Sequence, residues 1–185
     1  GGVVDAFDKS FAEPRPGPLR DIAGVTISDL AMQQGLQLGL QSDVIAGLTG
    51  TFGHTLADEL HPEGAEVVAT YADGWRRGLP AITVNQAGAG KVVYVGAMLD
   101  LDATAAVVDW LCDLAGVERG PNAPETVSVY ERRSDEARIW FLINWGDDEQ
   151  SVDVGEGWCD AFTDEPVSPA VIPASDVRII VSHAG

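Results

Sequence analysis

The chain has 185 residues, of which 45% are apolar, and its 29 acidic against 11 basic residues leave a net charge of −18. This length accommodates one ordinary domain or a medium domain plus a small one, and the apolar fraction indicates a packed core. The absence of any run of 18 apolar residues excludes a transmembrane helix, and the negative field disfavours nucleic acid and membranes as partners.

The composition of the charged residues points to salt adaptation. Two lysines stand against nine arginines, and 18 aspartates against 11 glutamates. The acidic excess is spread along the chain and forms no acidic tail. An acidic, lysine-poor surface is typical of a protein that works in molar salt, where counterions screen charges within about 3 Å. The alternative is an acidic protein of a low-salt organism.

Residues 1–120 have the pattern of a mixed α/β domain. Residues 66–71, 81–84 and 91–96 are predicted strands, and the last is apolar enough to be buried on both faces. A helix is predicted from Leu101 to Ala115, because apolar residues recur there at intervals of three and four and Gly116 supplies a stop. A strand that leads into a helix in this way is typical of an α/β layer.

Residues 121–185 have a different period. The segment Gly120-Pro121-Asn122-Ala123-Pro124 is the best domain boundary, because its prolines continue neither a helix nor a central strand. Six short strands in this second domain indicate a small antiparallel sandwich or barrel. They are predicted at residues 126–133, 138–145, 150–154, 158–163, 167–172 and 177–181.

The sequence offers no convincing phosphate or metal site. The loop at residues 85–91 resembles a phosphate loop, but its spacing differs and it leads into a strand, so a glycine turn is expected. His54 and His61 lie seven residues apart without a neighbouring cysteine, which fits no compact zinc spacing, and His183 is isolated. We therefore expect no cofactor and no metal.

The candidate nucleophiles and carboxylate pairs also do not point to a specific active site. Cys112 lies in the middle of the predicted helix without a glycine elbow, and we expect both it and Cys159 to be reduced and packed. Pairs such as Asp100/Asp102 and Asp58/Glu59 arise by chance among 29 acids. The tryptophans could stack on sugars, but packing is their commoner role. They are Trp75, Trp110, Trp140, Trp145 and Trp158.

The order of several motifs resembles glycoside hydrolase family 42 β-galactosidases. The matching strings run from Gly2-Val3-Val4-Asp5 to Leu99-Asp100, and the tail strings at 129–133 and 141–145 are similar to the family's C-terminal β domain. The other strings lie at residues 16–25, 64–75, 78–81 and 85–96. Any one of them is weak, but their shared order makes the resemblance strong.

The resemblance implies a fold and a role. The family has a catalytic β/α barrel that carries both catalytic glutamates, an amidotransferase-like trimerisation domain and a small β domain. It implies that the barrel and the opening half of the trimerisation domain are absent here. We therefore expect an incomplete amidotransferase-like (flavodoxin-like) α/β layer over residues 1–120, followed by a small antiparallel β sandwich over residues 121–185.

The expected function is structural. The chain would self-associate as a trimer or a dimer and support the missing barrel, which hydrolyses terminal β-D-galactosides, and no catalytic residue is assigned to it. Because residues 1–5 lack a signal peptide pattern, a cytoplasmic location is expected. One alternative is a carbohydrate-binding module using Trp140, Trp145 or Trp158. The other is a small amidotransferase-like enzyme, which needs Cys112 near a histidine in a cleft.

Overall fold

The structure is a computed structural model that describes residue 9 and residues 12–183. It divides into two compact units, Gly1–Val117 and Glu118–Gly185. The motif Gly2-Val3-Val4-Asp5 lies outside the described residues. Within the described ranges, no helix is long and apolar enough to cross a membrane.

The first unit is a six-stranded sheet with one long helix. Its strands lie in the order β5-β4-β3-β1-β2-β6, and every recorded pairing is antiparallel. The strands are β1 (Val25–Gln41), β2 (Phe52–Pro62), β3 (Glu66–Tyr71), β4 (Pro80–Ala87), β5 (Gly90–Val95) and β6 (Ala97–Leu99). The helices are α1 (Arg20–Ala23) and α2 (Leu101–Ala115).

The core of this unit lies between the sheet and α2. Leu36, Leu38 and Leu40 alternate along β1 and are buried, as a strand with one core face requires. Ala103 and Val107 are the buried residues of α2. Helix α2 has the predicted bounds and ends at Gly116, whose φ of +64° suits glycine.

The two longest strands, β1 and β2, were not predicted from the sequence. They pair as a ribbon whose register shifts between Met32 and Gln37, where β1 has three more residues than β2 and forms a bulge. Gly35 in this bulge has a φ of +79°, and Thr55 on β2 has a φ of +64°. These irregularities break the alternation of apolar and polar residues that identifies a strand.

The expectation of a flavodoxin-like α/β layer is not confirmed. The described chain is mostly β, and its strands are antiparallel because short turns join them. Strands β4 and β5, for example, are linked at Gly88, whereas a parallel pair needs a long crossover. The expectation that residues 91–96 are buried on both faces is wrong, because β5 is an edge strand and is half-buried.

The second unit contains the six predicted strands and is all-β. A four-stranded sheet has the order β10-β12-β8-β7, and β9 pairs with β11. The stacked indoles of Trp140 and Trp158, with ring centroids 3.9 Å apart, lie in its core. The strands are β7 (Val127–Arg133), β8 (Ala137–Asn144), β9 (Gln150–Val152), β10 (Cys159–Asp160), β11 (Ala170–Ile172) and β12 (Val177–His183).

Candidate oligomerisation surface

A buried arginine ties a short 3₁₀ turn, Gly74–Arg76, to the β1–β2 ribbon. The guanidinium of Arg76 is almost fully buried and donates to the carboxylates of Glu59 and of Asp29, the latter at 2.7 Å. It also donates to the carbonyl of Ala57 at 3.3 Å. Because Asp29 and Glu59 are opposite each other across the ribbon, one side chain holds both strands.

A second polar cluster lies beside it in the interior. The Tyr94 hydroxyl donates to Oδ2 of Asp58 at 3.1 Å, and the Tyr71 hydroxyl donates to the carbonyl of Gly96 at 2.9 Å. Burial raises the pKa of Asp58, an effect that the Tyr94 hydrogen bond partly offsets. Burial, together with the nearby Asp58, also raises the pKa of both tyrosines. The Tyr71 hydroxyl also donates to the carbonyl of Asp58 at 3.3 Å, so these bonds connect β2 with β3 and β5.

This framework presents apolar side chains around residues 52–56 of β2. Met32 is 73% exposed and pairs with Leu56, and the exposed Met98 pairs with His54. We call the four exposed apolar residues here the ribbon surface: Met32, Trp75, Met98 and Leu101.

Trp75 and Leu101 are brought to this stretch by hydrogen bonds. The Asp73 carboxylate, two residues before Trp75, accepts from the amide of Gly39, which pairs with Phe52. The amide of Asp100, just before Leu101, donates to the Phe52 carbonyl. Exposed thioether, indole and leucine side chains suit burial against another protein surface.

The histidines do not form a catalytic arrangement. Nε2 of His61 lies 2.7 Å from Oγ of Ser28 and 3.3 Å from a Glu59 carboxylate oxygen, and the Ser28 hydroxyl donates to the same carboxylate. In a nucleophilic triad the serine and the carboxylate bind different ring nitrogens, so this exposed cluster lacks the required geometry. His54 contacts Thr55 and His183 is exposed at the end of β12.

The carboxylate pairs have structural environments. Asp100 is the N-cap of α2, where its carboxylate accepts from the amides of Ala103 at 2.7 Å and Phe52 at 3.0 Å. Asp102 is exposed in the first helical turn. Asp58 contacts Tyr94 whereas Glu59 contacts Arg76, so neighbouring acids bind different partners. In the described part of the chain no three His, Cys, Asp or Glu residues group as a metal site would require.

The remaining candidates are dispersed. Cys112 and Cys159 are free and half-buried, and nothing described favours an amidotransferase site at Cys112. Trp140 and Trp158 are buried in the core of the second unit, which removes them as a sugar platform, whereas Trp145 is exposed. Residues 85–91 form the expected glycine turn, with Gly88 and Ala89 between the paired ends of β4 and β5.

Arg76 and Tyr94 were not singled out by the sequence. Arg76 is 17 and 47 positions from its two acidic partners, and Tyr94 is 36 positions from Asp58. Such pairs form only after the ribbon and the sheet close. No local spacing could have identified them.

Comparison with known proteins identifies the fold and the family. Residues 1–118 match the β-galactosidase trimerisation domain of glycoside hydrolase family 42. β-Galactosidase BgaA of Planococcus sp. (strain 'SOS Orange') is 32% identical over 176 residues, which are 90% of this chain and 25% of that protein.

Solved structures agree. The β-galactosidase of Bacillus circulans sp. alkalophilus has a TM-score of 0.89 at 29% identity, covering 98% of this chain and 28% of that one. A polyextremophilic β-galactosidase of the Antarctic haloarchaeon Halorubrum lacusprofundi has a TM-score of 0.78 at 25% identity, covering 99% of this chain and 26% of that one. The chain thus spans about a quarter of the length of these relatives, and it belongs to the β-galactosidase trimerisation domain family.

Proposed function

We propose that this chain supplies the oligomerisation and C-terminal domains of a β-galactosidase and holds its catalytic parts together as a trimer. The hydrolysis of terminal β-D-galactosides belongs, in this proposal, to sequence outside this chain. The observation that carries the proposal is the match of residues 1–118 to a trimerisation domain within relatives about four times as long. The absence of catalytic residues from the chain and its cytoplasmic location stay predictions.

We propose that the trimerisation domain occupies residues 1–120 and a small β domain residues 121–185. The division of the described chain into two compact units supports this assignment. We also propose that the first domain derives from an amidotransferase-like α/β layer. Its support is helix α2, which packs on the sheet directly after β5 and β6.

We further propose that the protein is adapted to high salt. The support is the net charge of −18 with only two lysines, together with the structural likeness to a haloarchaeal β-galactosidase. The negatively charged copies of a trimer repel one another. Screening at molar salt would remove most of this repulsion and so favour the trimer.

The ribbon surface gives the proposal a direct test. Met32→Asp places a charge on an exposed apolar side chain, so it should weaken the trimer without disturbing the fold. Gln33→Asp, at the exposed neighbouring position, adds the same charge and is the matched control. Light scattering coupled to size exclusion in molar potassium chloride should give masses in multiples of three chains for the wild type and the control, and smaller species for Met32→Asp.

Two results would contradict the proposal. A wild-type chain that stays monomeric at high salt and high concentration would exclude trimerisation by this chain alone. Hydrolysis of a chromogenic β-galactoside that survives repurification and follows this polypeptide would show that the catalytic residues are here. The expected result is background hydrolysis. Retaining hydrolysis needs two carboxyl groups about 5–5.5 Å apart in a substrate cleft, and in this proposal both lie in sequence outside this chain.

A further inference from the structure

The central strand β8 of the four-stranded sheet in the second unit carries large apolar residues on both faces. Side chains alternate along β8, so Trp140, Leu142 and Asn144 face the core, and the residues between them face the other way. The cross-strand pairs align those outward residues with partners on β7 and β12. We call this the outer face, and its apolar members are Tyr130, Ile139, Phe141, Ile143, Val177, Ile179 and Val181.

A sheet with one core face normally turns a polar face to water. Here the outward residues Ile139, Phe141 and Ile143 of the central strand are large and apolar, and none of them belongs to the core cluster of the unit. The paired outward residues of β12 are also apolar. This pattern is that of a strand buried on both sides, so the outer face has the chemistry of an interface.

The distribution of charge supports the same reading. Residues 121–185 contain thirteen acidic and four basic residues. In the three rows of paired residues on β7, β8 and β12, however, the outer face carries a single charged side chain, the exposed Arg132, and no acid. A solvated face of so acidic a domain would hold carboxylates, and their absence favours burial against another protein.

The outer face ends at an exposed tryptophan. Trp145 is 68% exposed, and its indole N–H donates to Oγ of Ser128 at 3.1 Å, which places the ring beside β7. A hollow of about 340 Å³ adjoins it, lined in part by Ile143 and Val177. Arg132 lies toward the opposite end of the same strand. A cation and an aromatic ring thus stand at the two ends of one strand.

We propose that the outer face is a self-complementary interface between two copies of this chain, separate from the trimerisation region at residues 1–118. A two-fold axis that runs across the strands would stack the two outer faces and set Arg132 of each copy over Trp145 of the other. A guanidinium over an indole is a favourable cation–π contact, and the remaining apolar residues would be buried around it. The interface would join trimers in pairs.

A sugar fits this face poorly. A carbohydrate platform needs hydrogen-bonding groups beside its aromatic rings. The Ser128 hydroxyl already accepts the Trp145 N–H, and the rest of the outer face is hydrocarbon apart from the Tyr130 hydroxyl and Arg132. The chemistry therefore favours a protein surface, and a second copy offers the matching cation and ring.

The test uses Tyr130→Asp in the 185-residue chain. Tyr130 is 54% exposed, so the substitution should leave the fold intact while placing a charge in the middle row of the outer face. Phe162→Asp is the matched control, because Phe162 is an exposed aromatic residue of the same unit that lies outside the rows of the outer face. Far-ultraviolet circular dichroism verifies that both variants are folded.

Light scattering with size exclusion in molar potassium chloride measures the outcome. Tyr130→Asp should halve the mass of the assembly and raise its dissociation constant at least tenfold, whereas Phe162→Asp should match the wild type. An unchanged mass for Tyr130→Asp would overturn the proposal. So would a tryptophan fluorescence shift on adding β-1,4-galactan oligosaccharides that Trp145→Phe abolishes, since it would make a sugar the occupant. If the halved assembly is not a multiple of three chains, the proposed trimerisation fails while the outer-face interface stands.

Discussion

Tyr94 donates a hydrogen bond of 3.1 Å to Asp58, a carboxyl group in a residue that is only 2% exposed. The other carboxylate oxygen, Oδ1, is buried without a hydrogen-bond partner in the described structure. Desolvation is therefore the main influence on this group and raises its pKa, although Tyr94 and nearby arginines oppose the effect. The interior of the first unit thus holds a carboxyl group whose pKa is raised by burial.

This relationship predicts a pH dependence of stability. A carboxyl group whose folded pKa is raised stabilises the fold fully below its unfolded pKa, and this contribution is lost as the pH rises through the folded pKa. The wild-type carboxyl group loses its contribution as the pH rises, whereas the amide of Asp58→Asn stays uncharged at both pH values. Relative to the wild type, Asp58→Asn should therefore be more stabilising, or less destabilising, at pH 7 than at pH 4. Urea unfolding at the two pH values measures the difference. Asp43→Asn, which removes an exposed charge, is the control, and an equal pH dependence in both variants would contradict the prediction.

Arg76 should be the most sensitive position in the β1–β2 ribbon. Arg76→Met removes a buried guanidinium that neutralises Asp29 and Glu59, and it should lower the free energy of unfolding by about 3 kcal/mol. Arg76→Lys should not restore the free energy of unfolding, because a lysine ammonium group lacks the planar, branched guanidinium that reaches both carboxylates. Arg77→Met is the control, since Arg77 is exposed. Similar urea midpoints for the variants at 76 and 77 would show that the cluster contributes little.

Asp100 should stabilise the start of α2 through its side chain. Asp100→Ala leaves the amides of Ala103 and Phe52 without their acceptor, so a loss of about 2 kcal/mol is expected. Asp102→Ala removes only the favourable interaction of an acidic side chain with the helix dipole near the N-terminus of α2. The expected loss in the free energy of unfolding is about 0.5 kcal/mol. Thermal unfolding of both variants checks this order. Equal losses would mean that the cap contributes no more than the helix dipole.

The sequence was informative where a local pattern decides the structure. Helix α2 was predicted at both bounds because apolar residues repeat at helical spacing and Gly116 adopts the left-handed conformation that ends a helix. The six strands of the second unit were predicted because alternating residues lie between turns of Gly, Asp and Ser.

Long-range relationships could not be predicted. The ribbon of β1 and β2 depends on a bulge between Met32 and Gln37, and a bulge shifts the alternation that reveals a strand. The clusters at Arg76 and Asp58 join residues from three or more elements, so their spacing in the sequence carries no signal. The outer face also requires knowing which strands pair, since alternation alone does not show that both faces of β8 are apolar.

Salt should raise the stability of the whole chain. A net charge of −18 on 185 residues produces repulsion within the folded state, which counterions screen over about 3 Å at molar salt. Raising potassium chloride from low salt to about 2 M should therefore increase the melting temperature by at least about 5 °C, equivalent to about 2 kcal/mol for a protein of this size. Chloride is the appropriate anion, because sulfate strengthens hydrophobic burial in proteins of any charge.

A comparison of the wild type with the Phe162→Asp and Tyr130→Asp variants separates screening within the chain from association between chains. If the effect of salt is intramolecular, all three proteins should gain the same stability. A melting temperature that stays flat across this range would refute salt adaptation.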